Sequence, residues 1–242
     1  MKLPRSNYAD RLREVAGDVV ASLEEAAGRR GRWGPFFRGR IGDDFDGRIV
    51  VEVGCFDAEF LGRVARRHPR TAFVGIDWKA RAVYDGGRRL AEASARNVVL
   101  MRGRGQDVGR VFGEREVEEV WVFHPDPFEG GPAERAKRLI GEAFLADVHG
   151  ILRNGSSTVT LKTDHAEYYE RASALLGLAS SAGASEVVRR LYAVGAASAD
   201  FWNDPAALAH AAGRPFAGER TLFESRFVKR RRPIYYLELV KR

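Results

Sequence analysis

From about residue 49 onward the chain repeats one pattern, in which an apolar run of strand length is followed by a stretch with helical spacing. A short run that is apolar at nearly every position is typical of a strand buried on both faces, and such strands form parallel sheets covered by helices. The sequence therefore predicts an α/β protein of the Rossmann-like kind with a mainly parallel, seven-stranded sheet. The predicted strands are Ile49–Val53, Ala72–Ile76, Val98–Met101, Val120–Phe123, Thr158–Leu161, Arg189–Ala193 and Ile234–Val240.

The helical stretches lie between these strands, as a sheet covered on both faces requires. The predicted helices are Glu59–His68, Lys79–Ala93, Val108–Phe112, Ala133–Leu152 and Ala166–Leu176. Late in the chain, Val194–Glu219 is rich in Ala and Gly and predicts a loop with one short helix.

The N-terminal segment follows a different pattern. Apolar residues at helical spacing predict an amphipathic helix over Asn7–Ala27, and the turn-rich stretches Arg29–Gly34 and Asp43–Gly47 predict a connector. We therefore expect two parts: an N-terminal helix and connector over residues 1–47, and one α/β domain over residues 48–242.

Composition limits the class of protein and its partners. The single cysteine, Cys55, excludes an intrachain disulfide and a Cys-rich zinc site, and it favours a reducing, cytoplasmic setting. Lys and Arg outnumber Asp and Glu by 40 to 33, and this net charge of +7 favours a polyanionic partner such as nucleic acid as much as a merely basic surface. No apolar run approaches the length of about 20 residues that a membrane span needs, and Met1–Leu23 carries too many charges for a signal peptide. We expect no membrane and no metal, and monomer and homodimer both stay open.

The loop after the first predicted strand is a candidate ligand site, because ligands of such sheets bind beyond the carboxyl ends of the strands. Gly54 permits a sharp turn there, but Phe56 breaks the G-x-G-x-x-G pattern, which argues against a nicotinamide or flavin dehydrogenase. Asp77 ends the next strand and is placed to accept hydrogen bonds from a ribose diol. Glu52 can face a cationic group. Together these residues favour S-adenosylmethionine, a ribose ligand without pyrophosphate; a structural glycine turn and a solvent-facing Glu52 are the alternatives.

The fourth predicted strand runs into His124-Pro125-Asp126-Pro127-Phe128. The two prolines restrict the backbone on both sides of Asp126 and prevent a helical continuation. Such a turn places one carboxylate at the edge of the sheet where the other candidate ligand residues lie.

Three segments resemble motifs of the tRNA (guanine-N7)-methyltransferase family, in the same order and spacing. Phe123–Phe128 resembles F-x-D-P-W, Lys162–His165 resembles the T-D motif, and Thr221–Phe227 with Pro233–Tyr235 resembles T-x-[FY]-E-x-[KR]-F…P-I-Y. The likeness extends from about Arg48 to the C-terminus. It implies a class I methyltransferase fold, S-adenosylmethionine as cofactor, and methyl transfer to N7 of a guanine in tRNA.

The resemblance also implies roles for individual residues. We predict Asp126 as catalytic, Glu52, Gly54, Asp77 and Arg104 as cofactor-binding, and Asp164, Thr221 and Glu224 as substrate-binding. The chemistry agrees, because N7 carries a free lone pair that needs no general base, and carboxylates suit the N–H donors of guanine. Two less favoured alternatives stay open: Thr163-Asp164 is an N-terminal cap of the following helix, and Glu224 forms a surface ion pair with Arg226.

Four positions depart from the family pattern. Phe56 stands where the family usually has glycine, Arg104 where it has Asp or Asn, Phe128 where it has Trp, and Gly130 where it has a substrate-binding lysine. These departures keep two alternatives open: a divergent methyltransferase acting on another substrate, and a non-catalytic RNA-binding protein that kept the fold. Positive charge that could contact RNA returns at Arg135, Lys137, Arg138 and Lys229–Arg232.

Overall fold

A computed structural model describes residues 8, 11–12, 19–178 and 183–242. Over these residues eight strands form one sheet in the order β1-β4-β3-β2-β5-β6-β8-β7. The strands are β1 (Val20–Ala21), β2 (Ile49–Val53), β3 (Ala72–Asp77), β4 (Val98–Arg102), β5 (Glu119–Phe123), β6 (Thr158–Thr163), β7 (Tyr192–Ser198) and β8 (Tyr235–Lys241). The helices are α1 (Leu23–Gly28), α2 (Trp33–Ile41), α3 (Glu59–Arg67), α4 (Ala80–Glu92), α5 (Val108–Val111), α6 (Pro132–Arg135), α7 (Glu142–Ile151), α8 (Ala166–Ala174), α9 (Glu186–Leu191), α10 (Pro205–Ala211) and α11 (Leu222–Lys229).

The strand order creates a switch point at the centre of the sheet. From β1 to β6 all neighbouring strands pair in parallel, whereas β8 runs antiparallel between β6 and β7. The chain leaves β2 toward β3 and β4 on one side, and β5 returns to the other side of β2. In such sheets the connections diverge at this point and leave a crevice beyond the carboxyl ends of the two central strands, here β2 and β5. The predicted ligand loop after β2 lies there.

The predicted Rossmann-like α/β fold is confirmed, but the sheet has eight strands rather than seven. The additional strand β1 pairs in parallel with β4, Val20 opposite Leu100 and Ala21 opposite Met101. The predicted helix Asn7–Ala27 is therefore wrong at this strand, and residues 7, 9–10 and 13–18 of it lie outside the described part of the chain. A strand of two residues is too short to produce a periodic signal, so only its partner strand defines it.

The connector before β2 contains a helix that the turn-rich composition concealed. Helix α2 buries Trp33 and Phe37 completely, and the Trp33 indole N–H donates to the carbonyl of Val111 at 3.0 Å. Trp33 also packs against Phe112, with ring centroids 5.6 Å apart. Tertiary burial of these aromatic side chains therefore stabilises a helix that local propensity did not indicate.

Two other boundaries differ from prediction. The predicted helix Ala133–Leu152 is two helices, because the backbone before α7 is extended at Gly141 (φ −157°). The predicted strand Arg189–Ala193 is displaced, since helix α9 runs to Leu191 and β7 begins at Tyr192. The cap that Ser185 provides for α9 by accepting the Val188 N–H at 3.1 Å explains this helix. Strand β7 in turn takes up residues 194–198 of the predicted loop, which also contains α10.

Both faces of the sheet are covered by apolar clusters. One cluster joins α1, α2 and α7 to the sheet, and the other joins α3, α4 and α10 to the opposite face. All five residues of β2 are buried, as a central parallel strand requires. Among the described residues, no helix has the length and apolar character needed to cross a bilayer.

Candidate active site

A cavity of about 630 Å³ lies beyond the carboxyl ends of β2, β3 and β5, at the switch point of the sheet. Four of the predicted site residues line it: Gly54, Asp77, Arg104 and Asp126. Its volume lies within the range of about 300–1,000 Å³ that is usual for small-molecule and cofactor sites. The structure therefore brings half of the predicted site into one pocket, although the residues come from four separate segments.

The β2 loop is a tight turn packed against the neighbouring strand. Gly54 has a φ of 86°, and its N–H donates to the carbonyl of Ile76 at 2.7 Å. On β3, a Cβ at Gly75 would lie 2.8 Å from the Cys55 sulfur, so only glycine lets the loop approach this closely. Phe56 also adopts the left-handed region, with a φ of 51°, although it is not glycine.

Asp77 joins this loop to the end of β3. Its Oδ2 accepts the Phe56 N–H at 2.9 Å, and its Oδ1 accepts the Lys79 N–H at 2.8 Å. Burial raises the pKa of Asp77, and these two N–H groups offset only part of that effect. Each carboxylate oxygen keeps a further lone pair, so the side chain can still accept hydroxyl donors from a ligand.

Glu52 lies below the loop, in a small adjoining cavity of about 30 Å³. Its side chain is buried, and Oε2 has no hydrogen-bond partner among the described residues. Burial, with the neighbouring charges of Asp77, Glu224 and Asp57, raises the pKa of Glu52 to about 8. An unpaired buried carboxyl group of this kind provides a site for a cation, which would restore its ionised form.

The loop after β4 completes the wall on this side. The backbone N–H of Arg104 donates to the Asp107 carboxylate at 2.9 Å, which holds the loop in place while the Arg104 side chain stays exposed. At Gly105 a Cβ would lie 2.6 Å from the side chains of Val53 and Leu139, so the loop lies directly against the cavity floor.

Asp126 lines the same cavity as Asp77 and is exposed. Its turn is held on both sides: the His124 N–H donates to the Lys162 carbonyl at 2.7 Å, and the buried Arg138 donates to the Pro127 carbonyl at 2.6 Å. The Asp126 carboxylate itself has no hydrogen bond or ion pair to any described residue. The turn is fixed while its acid remains available to a ligand.

A lysine side chain also contributes to this cavity. Lys137 lines the cavity and pairs with Glu134 in the preceding turn. The glycine at Gly130 removes the lysine that the family usually has in this segment, and Lys137 supplies a cation to the pocket from seven residues further on. The sequence by itself predicts Lys137 only as one of several basic residues that could contact RNA.

Asp164 lies beside the cavity and is not part of its lining. Its Oδ2 is 2.9 Å from the Arg232 guanidinium, and its Oδ1 is 3.5 Å from Nδ1 of His124. Burial alone would raise the pKa of Asp164, but the His124 ring and the Arg232 guanidinium outweigh it and hold the pKa below its usual value. Asp164 therefore contacts the cavity through His124, whose ring is part of the wall.

Thr221 and Glu224 form the N-terminal capping box of α11. Thr221 Oγ1 accepts the Glu224 N–H at 3.0 Å, and Glu224 Oε2 accepts the Thr221 N–H at 2.8 Å. The other carboxylate oxygen, Oε1, accepts Lys162 Nζ at 3.1 Å and the Trp202 indole N–H at 3.2 Å. The alternative of a surface pair with Arg226 is wrong, because Glu224 is fully buried and its partner is Lys162. Thr221 lines the small cavity beside Glu52.

Lys162 is the residue that sequence reasoning missed. Its ammonium group is fully buried and lies 4.4–5.2 Å from the ring centres of four aromatic residues. Those residues are Phe123, Phe201, Trp202 and Phe216. Burial raises the pKa of Glu224, but the Lys162 ammonium, the His124 ring and the Thr221 N–H together outweigh burial and lower the pKa. The sequence signal was a lysine inside a strand of otherwise buried character.

The alternative of a cap formed by Thr163 and Asp164 is also replaced. His165 caps α8, because its Nδ1 accepts the Tyr168 N–H at 3.2 Å, while Thr163 Oγ1 accepts the His165 N–H at 3.1 Å. The other ring nitrogen of His165 lies 2.8 Å from the Glu129 carboxylate. This contact joins α8 to the segment that follows the Asp126 turn. No group of metal-ligating side chains is found in the described ranges.

The sheet order and the cavity over β2 and β3 are those of the class I methyltransferase fold. A family model described as "Putative methyltransferase" matches residues 46–182. A solved structure of an antibiotic-related methyltransferase shares the fold, with a TM-score of 0.56, 14% identity, and coverage of 83% of this chain and 90% of that chain.

Two relatives define the family more closely. The tRNA (guanine-N7)-methyltransferase of Porphyromonas gingivalis is 29% identical over 90% of this chain and 80% of its own length. The enzyme of the same name from Lactococcus lactis subsp. cremoris is 30% identical over 66% of this chain and 72% of its own length. The chain belongs to the tRNA (guanine-N7)-methyltransferase family, and it is a methyltransferase whose cofactor is S-adenosylmethionine.

Proposed function

We propose that this protein transfers the methyl group of S-adenosylmethionine to N7 of a guanine in tRNA. The observation that carries the proposal is the position of Asp126. Its unpaired carboxylate lies in the same cavity as the Gly54 loop and Asp77, in a chain of this family. A cofactor site and a free acid therefore lie in one cavity.

The residues around the cavity fit the cofactor. Asp77 has free lone pairs that can accept hydrogen bonds from a ribose diol. The backbone of the Gly54 loop can lie close to the cofactor, and it does not form a phosphate-binding turn. The Arg104 loop forms the wall beside Asp77, where we place the adenine. Glu52, with its unpaired Oε2, suits the cationic end of the molecule.

The reaction needs alignment more than acid–base chemistry. S-adenosylmethionine supplies a methyl group on a sulfonium, and the guanine N7 lone pair forms the new N–C bond as the S–C bond breaks. Asp126 accepts hydrogen bonds from the N1–H and N2–H₂ edge of the guanine and so fixes the direction of N7. Its negative charge also stabilises the positive charge that develops on the methylated base.

The remaining predicted substrate residues contribute through their neighbours. Asp164 orients His124 in the cavity wall and holds Arg232. Thr221 and Glu224 hold the start of α11, which borders the cavity through Phe223. We propose these as the routes by which all three act on substrate binding.

Location and organisation follow from the same proposal. Every residue lining the cavity falls within residues 48–242, which we propose as the methyltransferase domain, with residues 1–47 as its N-terminal segment. The net charge of +7 supports contact with RNA phosphates. A tRNA substrate supports the cytoplasmic location that we propose.

Mass spectrometry of tRNA incubated with the protein and S-adenosylmethionine tests the proposal. We expect 7-methylguanosine to form, and the Asp126→Asn variant to lose at least about 100-fold in kcat/KM, a typical effect of removing one transition-state contact. The variant should bind S-adenosylhomocysteine as tightly as the wild type in calorimetry. Cofactor binding with no 7-methylguanosine would refute the tRNA assignment and favour another substrate, while tRNA binding without cofactor binding would favour a non-catalytic protein.

A further inference from the structure

Two phenylalanine rings meet at the edge of the cavity, one from each side. Phe56 of the β2 loop and Phe223 of α11 lie with ring centroids 6.0 Å apart and planes at 65°. Each residue is 36% exposed, and both line the cavity that contains Asp126. Phe227 continues the surface along α11, 6.4 Å from Phe223, and the His124 ring lies 6.3 Å from Phe223. We name these four rings the aromatic wall.

Phe56 is unfavourable for folding in two respects. Its backbone φ of 51° lies in the left-handed region, where a bulky side chain is strained and glycine is not. Its ring also keeps more than a third of its surface in solvent instead of joining the core. A glycine at this position would remove both disadvantages. Strain of this kind at the edge of a site indicates a functional use of the ring.

Cations surround the wall on the α11 side. Arg226 lies over the Phe223 ring at 6.0 Å, and Arg232 lies over the Phe227 ring at 5.1 Å. Arg226 and the exposed segment Lys229–Arg231 form no ion pair with any described residue. Exposed aromatic rings beside unpaired cations are the combination that binds unpaired nucleotides, since bases stack on the rings and phosphates meet the cations.

We propose that the aromatic wall binds the face of the target guanine, extruded from the tRNA, while Asp126 holds the donor edge of that base. This inference rests on the proposed function and names the subsite that receives the base. The cofactor has partners elsewhere: its adenine and ribose fit beside Asp77 and Arg104, and its cationic end fits the unpaired carboxyl group of Glu52, so the wall stays free for the base. A flat purine ring gains stacking from the same surface.

The aromatic wall is tested by variants that keep the apolar volume of the side chain and remove its ring. We expect Phe56→Leu and Phe223→Leu each to raise the KM for tRNA by about tenfold, because stacking of one base on an aromatic side chain is typically worth this factor or more. The Kd for S-adenosylhomocysteine should change less than twofold. Phe223→Tyr should raise the KM less than Phe223→Leu does, because it keeps the ring. Val187→Ala is the matched control, since Val187 is 45% exposed and lines neither cavity.

Phe56→Gly distinguishes stacking from obstruction of the cofactor. The variant relieves the strained φ, so it should fold at least as well as the wild type. The wall predicts a higher KM for tRNA with an unchanged Kd for S-adenosylhomocysteine. Tighter cofactor binding with an unchanged KM would mean that the ring only blocks the cofactor, and it would overturn the inference.

A binding assay without turnover keeps the two proposals separable. A short single-stranded RNA carrying 2-aminopurine should show saturable fluorescence quenching with wild type, and about tenfold weaker binding with Phe223→Leu. If this holds while tRNA gains no 7-methylguanosine, the wall stands and the proposed function fails. If tRNA is methylated with unchanged KM in both leucine variants, the proposed function stands and the wall is refuted.

Discussion

The buried pair Lys162–Glu224 gives the sharpest quantitative prediction. Both side chains are fully buried, and among the described residues Lys162 Nζ makes one hydrogen bond, to Glu224 Oε1. In Lys162→Met the flexible apolar side chain fills the space among the aromatic rings, but the Glu224 carboxylate keeps only the Thr221 and Trp202 donors. Removing one partner of a buried pair is strongly destabilising because the other charge stays buried and uncompensated.

The stability lost in Lys162→Met is limited, because Glu224 can become protonated and so lose its buried charge. A carboxyl group with the ordinary pKa of 4.5 can be kept neutral at pH 7 for about 3.4 kcal/mol, at about 1.36 kcal/mol per pH unit. We therefore expect Lys162→Met to lower the free energy of unfolding by about 3 kcal/mol at pH 7. At pH 5 the same protonation requires only about 0.7 kcal/mol, so the defect should shrink to about 1 kcal/mol.

The direction of this pH dependence follows from the pKa of Glu224, which lies below its ordinary value in the wild type. The stabilisation it contributes is therefore complete above the unfolded-state pKa and is lost only as the pH falls through the folded-state pKa. Between pH 7 and pH 5 the pH stays above the ordinary pKa of 4.5, so the contribution of Glu224 to wild-type stability does not change. The change with pH in the stability difference between Lys162→Met and wild type therefore measures the protonation of Glu224 in the variant.

Urea unfolding followed by circular dichroism at both pH values provides the measurement. The double variant Lys162→Met/Glu224→Gln is the control, since Gln keeps the capping box and removes the charge. It should unfold within about 1 kcal/mol of wild type at either pH. A pH-independent defect in Lys162→Met, or a double variant as unstable as the sum of both single variants, would refute the reasoning.

Two further predictions concern the cavity. Burial raises the pKa of Glu52 to about 8, and a bound cation favours its ionised form, so S-adenosylhomocysteine should bind more tightly as the pH rises from 6 to 8. Calorimetry should show that this pH dependence is abolished in Glu52→Gln. The same pH dependence in both proteins would contradict the prediction. Lys137→Ala should weaken tRNA binding and lower the slope of log Kd against log salt concentration by about 1, as expected when one phosphate contact is lost. An unchanged slope would exclude Lys137 from phosphate contact, and Lys229→Ala measures the loss of one cation on α11 for comparison.

The structure explains how the chain accommodates two of its four departures from the family pattern, Phe56 and Gly130. Phe56 does not disrupt the cofactor loop, because Gly54 still makes the turn and Asp77 accepts the Phe56 N–H. The missing lysine at Gly130 is matched by Lys137 in the cavity. Neither departure removes the groups that the proposed reaction needs.

The strands could be predicted where burial on both faces leaves an unbroken apolar run, as in Ile49–Val53. The two-residue strand Val20–Ala21 and the helix Trp33–Ile41 could not, because their stability comes from a partner strand and from buried aromatic packing. Local sequence carries no record of such distant partners.

The site divides in the same way. The sequence by itself determined which acids follow which strands, and so predicted Asp77 and Asp126 at one edge of the sheet, because parallel strands end together. Only the tertiary structure decided which acids are free. Asp126 has no partner among the described residues, whereas Glu224 is enclosed by Lys162 and its own helix cap. Hydrogen bonds between residues some 60 positions apart decide whether a carboxylate meets a ligand or stabilises the fold, and no local pattern encodes them.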